Sequence, residues 1–400
     1  MRLALIIDDY LPHSTRVGAK MFHELALEFI SNGHEVTVIT PSTNIDTEFT
    51  EQYVEGVRVW YFRSGAIKDV SKVQRAMNET LLSFRAWKAI KGVITPNYFE
   101  GVIYYSPSIF LAGLVKKIKT HCQCSTYLIL RDFFPQWIID SGMIKSGSLI
   151  DKYFRYFERQ TYSEANMIGV MSEKNLCLFR EMTNSCYPVQ VLRNWSKLTP
   201  HCSNRQSLSI RKQLNLENKV IFFYGGNIGH AQDMGNLMRL VRSMNSYEGA
   251  HFLFVGQGDE VNLINHLASE WKLSNFTYLP SVSQDRFKDI LSEVDIGLFS
   301  LSKAHTAHNF PGKLLGYMVQ SIPILGSVNS GNDLKEIVNE YEAGFIIENG
   351  NDYDLLNKAV LLYEDSSLRA ERGSNSYKLL KSQFSVHSIA TKIIEHLGES

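Results

Sequence analysis

Residues 220–233 read V-I-F-F-Y-G-G-N-I-G-H-A-Q-D: an unbroken apolar run, three glycines, then polar residues ahead of a helical pattern. An apolar run without alternation marks a strand covered on both faces, the habit of a parallel sheet. Glycines at the joint of such a strand with a helix let the backbone approach a ligand, and the first helical N–H groups suit an anion. The loop lacks the G-K-[ST] of a Walker sequence and the G-x-G-x-x-G of a dinucleotide fingerprint. Tight packing of strand on helix accounts for one glycine; Gly225, Gly226 and Gly229 together favour a phosphate or sugar contact.

The same grammar extends both ways. Downstream, strands are expected at 251–256, 276–279, 296–300, 322–326 and 344–347, separated by helical segments. Upstream, a first series lies at 3–7, 35–40, 57–62, 101–105, 126–130 and 167–171, with 189–194 closing the sheet. A helix from Gly18 to Asn32 follows the first strand, with Gly33 as its C-cap. Strands fed by helices imply parallel sheets with right-handed crossovers. The fold expected is α/β, two Rossmann-like, doubly wound domains facing across a ligand cleft. Polar residues 198–208 read as a linker, so the domains are 1–197 and 198–384, and 385–400 forms a further helix behind an N-cap serine.

Composition fits this division. Four hundred residues exceed what one core usually carries, and 44% hydrophobic with 20% charged residues describes an ordinary globular chain. Zero net formal charge argues against nucleic acid as a partner. Five cysteines without a C-x-x-C pair argue against a zinc or disulfide framework and fit a reducing compartment. The first apolar run is too short for a signal sequence, so a cytoplasmic protein is expected.

In open parallel sheets ligands sit at the carboxyl ends of strands. Besides the loop already quoted, three others stand there. Residues 8–20 bring His13, Ser14 and Arg16 ahead of Gly18, which opens a helix. Gly256 and Gly258 end the strand in V-G-Q-G-D, a ligand contact or a plain turn. In H-T-A-H-N-F-P-G-K (305–313), Pro311 suits a first helical turn, Gly312 admits close approach and Lys313 adds charge to the helix's positive end. His305, His308 and Asn309 crowd the same end, and Leu314 and Gly316 follow in the helix. No D-x-D carboxylate pair lies in these loops, so Lys313 and the helix end are expected to hold a diphosphate without a divalent metal.

G-G-N-I-G-H-A-Q (225–232) and F-P-G-K-L-L-G-Y-M-V-Q-S-I-P-I-L-G (310–326) resemble retaining glycosyltransferases of family 4. L-I-I-D-D-Y-L-P (5–12) and L-I-L-R-D-F-F-P-Q-W (128–137) are similar to bacterial O-antigen and capsule enzymes that transfer N-acetyl-L-fucosamine. The resemblance implies a GT-B fold, a UDP-sugar donor in the second domain, an acceptor in the first, and no metal or other cofactor. It also implies an undecaprenyl-diphosphate-linked acceptor and work at the inner leaflet of the membrane. Many members carry Glu-x7-Glu, where this chain has His308 and Gly316, so the usual ribose-holding acid is missing.

On this reading Lys313, His308 and Asp132 are the catalytic candidates. The donor would contact Gly18, Gly226, Asn227, Gly229, Gly256, Gly258, His305, Asn309, Pro311, Gly312, Leu314 and Gly316; the acceptor would contact His13, Ser14 and Arg16. Asp132 is equally open to a structural ion pair with Arg131. A basic stretch from Lys68 to Lys119, interleaved with Phe84 and Trp87, suits an anionic lipid surface or a solvated face. The rival from another class is a nucleotide-sugar 2-epimerase of the same fold, with His13, His305 and His308 around the sugar.

Overall fold

The computed structural model describes every residue except 15, 68–69, 107, 141, 202–207, 304–310 and 399–400. Its contacts divide the chain into two units, Met1–Trp195 with Val386–Ser400, and Ser196–Ser385.

The first unit is built on an eight-stranded sheet. Its strands are β1 (Arg2–Ile6), β2 (Glu35–Ser42), β3 (Phe49–Val54), β4 (Val57–Arg63), β5 (Gly101–Ser106), β6 (Ser125–Leu130), β7 (Met167–Val170) and β8 (Val189–Val191). The order is β3-β4-β2-β1-β5-β6-β7-β8. All neighbours are parallel except β3 with β4. The chain thus runs outward from β1 in one direction and then, from β5, in the other. That reversal opens a crevice for ligands at the carboxyl ends of the central strands.

β3 has no counterpart among the expected strands. Its sequence, F-T-E-Q-Y-V, is too polar to read as buried, and it lies at the sheet edge. Glu55 and Gly56, at φ 47° and 88°, close a two-residue hairpin whose left-handed turn matches the twist of the strands it joins.

Helices cover both faces. Phe22, Leu25 and Phe29 of helix Val17–Ser31 pack on one face with Ile389, Ile393 and Leu397 of helix Val386–Gly398. The C-terminal helix is thus part of this core, fixed also by His387 Nδ1 to Glu28 at 2.8 Å.

The second unit holds β9 (Val220–Asn227), β10 (Ala250–Gln257), β11 (Phe276–Pro280), β12 (Ile296–Ser300), β13 (Ile324–Val328) and β14 (Gly344–Glu348). They form an all-parallel sheet in the order β11-β10-β9-β12-β13-β14. Each expected strand is present, displaced by at most two residues at its start; the largest shift is β13, where Pro323 cannot donate to the ladder. The direction of winding reverses between β9 and β12, which places the glycine loop after β9 and the chain after β12 at the switch point.

Candidate active site

Helix Gly312–Val319 is fixed by its apolar face. Leu314, Leu315, Tyr317 and Met318 are buried, at the helical spacing the sequence shows. Tyr317 ties the helix to the sheet: its hydroxyl lies 3.3 Å from Phe223 O and 3.2 Å from Leu298 O, and accepts from Gly225 N–H at 3.3 Å. With the helix so docked, Lys313 lies over Tyr224. Its Nζ sits 4.0 Å above the Tyr224 ring and donates to Tyr224 Oη at 2.7 Å. Burial raises the Tyr224 phenol far above its ordinary range, so it keeps its proton and donates it to Asn227 O at 2.5 Å.

Among the described residues no carboxylate pairs with Lys313. Loss of water around the ammonium, with no anion in return, lowers its pKa from 10.5 to about 7. The helix end beside it has no side-chain cap among the described residues. Helices starting at Met234, Gln284 and Asp333 are capped by the side chains of Asp233, Ser283 and Asn332. Helix Gly312–Val319 starts at Pro311, which has no side-chain acceptor for its first N–H groups. A cation short of a partner beside an uncapped helix start is a place for an anion.

The candidate glycines separate into two kinds. A Cβ on Gly226 would lie 3.7 Å from Lys313 Nζ, and its φ of +113° is one that side-chain-bearing residues rarely adopt. A Cβ on Gly312 would meet none of the described residues within 4 Å. The others meet protein: a Cβ on Gly256 would strike Gly226 O at 1.8 Å, on Gly258 Ile228 O at 2.1 Å, and on Gly229 Asn227 Nδ2 at 2.6 Å. At these three positions glycine answers strand and loop packing.

Several expectations are corrected here. The loop after β9 is not an empty anion cradle, because Asp259 accepts from His230 N–H at 3.3 Å and Glu260 from Met234 N–H at 3.1 Å. Leu314 is fully buried and its N–H donates to Pro311 O, so it offers a ligand nothing. A Cβ on Gly316 would meet Leu291 Cδ2 at 3.3 Å. His305, His308 and Asn309 lie outside the described residues.

In the first unit the loop after β1 borders a cavity of about 450 Å³, which His13, Ser14 and Arg16 line together with Asp8, Asp9 and Tyr10. The buried Ser14 hydroxyl donates to Asp9 Oδ2 at 2.6 Å, and Arg16 Nε lies 3.5 Å from the same oxygen. Gly18 stands apart from this lining; a Cβ there would meet Tyr105 Oη at 3.2 Å. Asp132 follows β6, and burial raises its pKa. It has no ion pair with Arg131, whose guanidinium donates to Leu192 O and Arg193 O at 2.5 and 3.0 Å.

The basic stretch is partly neutralised within the unit. Arg75 pairs with Glu79, Lys88 with Glu48 and Lys116 with Glu164. Phe84 is exposed, whereas Trp87 is half-buried with Lys117 over its ring. No helix among the described residues is long and apolar enough to cross a membrane.

Residues 206–379 match the family model for glycosyl transferases group 1. A probable glycosyltransferase, WbjE of Pseudomonas aeruginosa, is 22% identical over 224 residues, 54% of this chain and 54% of its own length. A putative colanic acid biosynthesis glycosyl transferase, WcaI of Escherichia coli K12, is 24% identical over 337 residues, 78% of this chain and 80% of its own. The chain thus spans about half of WbjE and four fifths of WcaI. Among solved structures, Anabaena HepE in complex with UDP and glucose superposes with a TM-score of 0.66 at 13% identity, covering both chains fully. The chain therefore has the GT-B fold of two parallel-sheet α/β domains, and residues 206–379 within its second unit are similar to glycosyl transferases group 1.

Proposed function

We propose that this chain is a retaining, metal-independent glycosyltransferase of family 4. It moves N-acetyl-L-fucosamine, or a related N-acetylamino sugar, from UDP to an undecaprenyl-diphosphate-linked saccharide in polysaccharide assembly. The observation that carries the reading is Lys313, a desolvated cation without a carboxylate at an uncapped helix start on the switch point of the second unit. The relatives support transfer of a sugar for surface polysaccharide, and the HepE complex supports UDP as the carrier.

The chemistry follows from where charge develops. As the glycosidic bond to the diphosphate breaks, negative charge grows on the leaving oxygens. The Lys313 ammonium and the N–H groups of Gly312 and Lys313 are fixed in place to meet it, which stabilises the transition state more than the bound substrate. Gly226 leaves room for the diphosphate to lie close to the ammonium. The acceptor hydroxyl attacks from the face the diphosphate leaves and passes its proton to the departing phosphate oxygen. No protein nucleophile is required. The acceptor's sugar belongs in the cavity of the first unit, beside His13, Ser14 and Arg16. Exposed Phe84, Met77 and Leu81, with the basic residues of the same stretch, would rest on the anionic inner leaflet.

The test is release of UDP from a UDP-N-acetylamino sugar with EDTA present, with and without a lipid-diphosphate-linked sugar, and the anomeric configuration of the product by NMR. Acceptor-dependent release with retention supports the reading. A new nucleotide-sugar formed without acceptor would mark an epimerase.

A further inference from the structure

Tyr224 is the last residue of the apolar run in β9, directly before Gly225 and Gly226. It is fully buried, and the Phe254 ring of β10 packs against it with 5.3 Å between centroids. Its hydroxyl has one proton, and the neighbours decide where that proton goes. A carbonyl oxygen only accepts, so the 2.5 Å contact with Asn227 O takes the phenol proton. The 2.7 Å contact with Lys313 Nζ must then be donated by the lysine, whether its nitrogen carries two protons or three. Tyr224 meets the same nitrogen again with its ring, whose centroid lies 4.0 Å from Nζ.

These contacts do two things for Lys313. A lysine stem has many rotamers, and fixing its nitrogen before a ligand arrives removes an entropy cost from binding. An oxygen acceptor and a ring face both favour the charged form over the neutral amine. The phenol also fixes the glycine segment, because Asn227 O closes a loop over Gly225 and Gly226. One side chain thus sets both the ammonium and the glycine whose Cβ would lie 3.7 Å from it.

Other groups reach this place from the neighbouring elements. β12 brings the Phe299 ring, 5.9 Å from Nζ. Tyr317 of the lysine's own helix turns its hydroxyl to the backbone, and Glu260 of the loop after β10 accepts from Met234 N–H. Tyr317 and Glu260 both push the Tyr224 phenol upward, which keeps its proton on the oxygen.

We propose that Tyr224 is a positioning residue that seats the Lys313 nitrogen beside Gly226 and favours its charged form, so that an anion arriving there meets a cation already in place. The proposal rests on the reading of Lys313 as the group that meets the donor's diphosphate, and adds the residue through which that lysine is held.

The experiment uses the full chain as wild type, Tyr224→Phe, Lys313→Ala and the double variant, each shown to be folded by its melting curve. UDP and inorganic pyrophosphate are the probes. Phenylalanine keeps the ring and removes the acceptor. Tyr224→Phe weakens both probes about tenfold in the wild-type background, in line with a hydrogen bond to a charged group. In the Lys313→Ala background it changes them by less than about twofold, because the partner through which it acts is gone. A tyrosine that only shapes the loop through Asn227 O weakens both backgrounds equally, which overturns the proposal, as does wild-type affinity in Tyr224→Phe. A second reading needs no ligand. The ¹⁵N signal of Lys313 Nζ, identified by its loss in Lys313→Ala, titrates at lower pH in Tyr224→Phe, since the charged form has lost its acceptor. An unchanged midpoint overturns the proposal even where Lys313→Ala binds the probes too weakly to complete the comparison. Wild-type protein that binds neither probe, with the midpoint still displaced in Tyr224→Phe, counts against the transferase reading and leaves the seating of Lys313 standing.

Discussion

Lys313 shows how one side chain acquires a property its sequence position does not display. Proline, glycine and lysine at a helix start are visible in the sequence; the partner is not, because Tyr224 stands 89 residues away and meets Lys313 only once Tyr317 has docked the helix. The lowered pKa has a consequence for binding. A diphosphate beside the ammonium favours its charged form and raises the pKa in the complex above the free value of about 7. Between the two values binding takes up a proton, so affinity falls as pH rises through that window and is undiminished below it. At pH 8 most of the free lysine is neutral, and UDP binding should take up a large part of a proton. Calorimetric titration in two buffers of different ionisation enthalpy reads this number; zero uptake would separate Lys313 from the phosphates. Gly316 belongs to the same scale. Alanine there gains roughly 0.5–1 kcal/mol of helix propensity, against a contact with the flexible end of Leu291 at 3.3 Å. A small rise in melting temperature with unchanged donor KM is expected, and a raised donor KM would restore the glycine to the ribose.

At the scale of elements, buried parallel strands were the most legible part of the chain. Strands such as β6 and β12 are buried along their whole length, so they appear as continuous apolar runs. The edge strand β3 escaped because none of its residues is buried, although Glu55-Gly56 is the kind of pair a hairpin uses. The candidate loops were found by their glycines, but glycine alone does not tell a ligand's approach from a neighbour's. Gly226 has a cation before it and Gly256 a carbonyl, a difference created by strand register. The same limit hid Asp259 and Glu260, whose carboxylates come from the next loop to take the amides expected to be free. The C-terminal helix makes a stability prediction at this scale. Ile393 is fully buried against the first unit's sheet, so Ile393→Ala should cost about 2–5 kcal/mol. Urea unfolding followed by tryptophan fluorescence measures it; a loss below 0.5 kcal/mol would mean that the helix is dispensable to that core.

Across the whole molecule, the first unit's cavity lies at the carboxyl ends of β1, β2 and β4, and the second unit's ammonium lies at the switch point of its sheet. The second unit offers this ammonium and a helix start without a side-chain cap among the described residues. On the proposed function this positive site meets the leaving diphosphate. That proposal rests on Lys313, which must then matter to the reaction and not to the fold. Its ammonium makes one hydrogen bond and no ion pair among the described residues, so removing it leaves the helix docked by Tyr317. The most direct measurement is therefore the turnover of Lys313→Ala with UDP-sugar and acceptor, beside its melting curve. The account predicts that kcat and kcat/KM fall together by about 10²–10³-fold, as for loss of one fixed group that stabilises a developing anion, with the melting temperature unchanged or higher. A folded Lys313→Ala protein that turns over at the wild-type rate would contradict it.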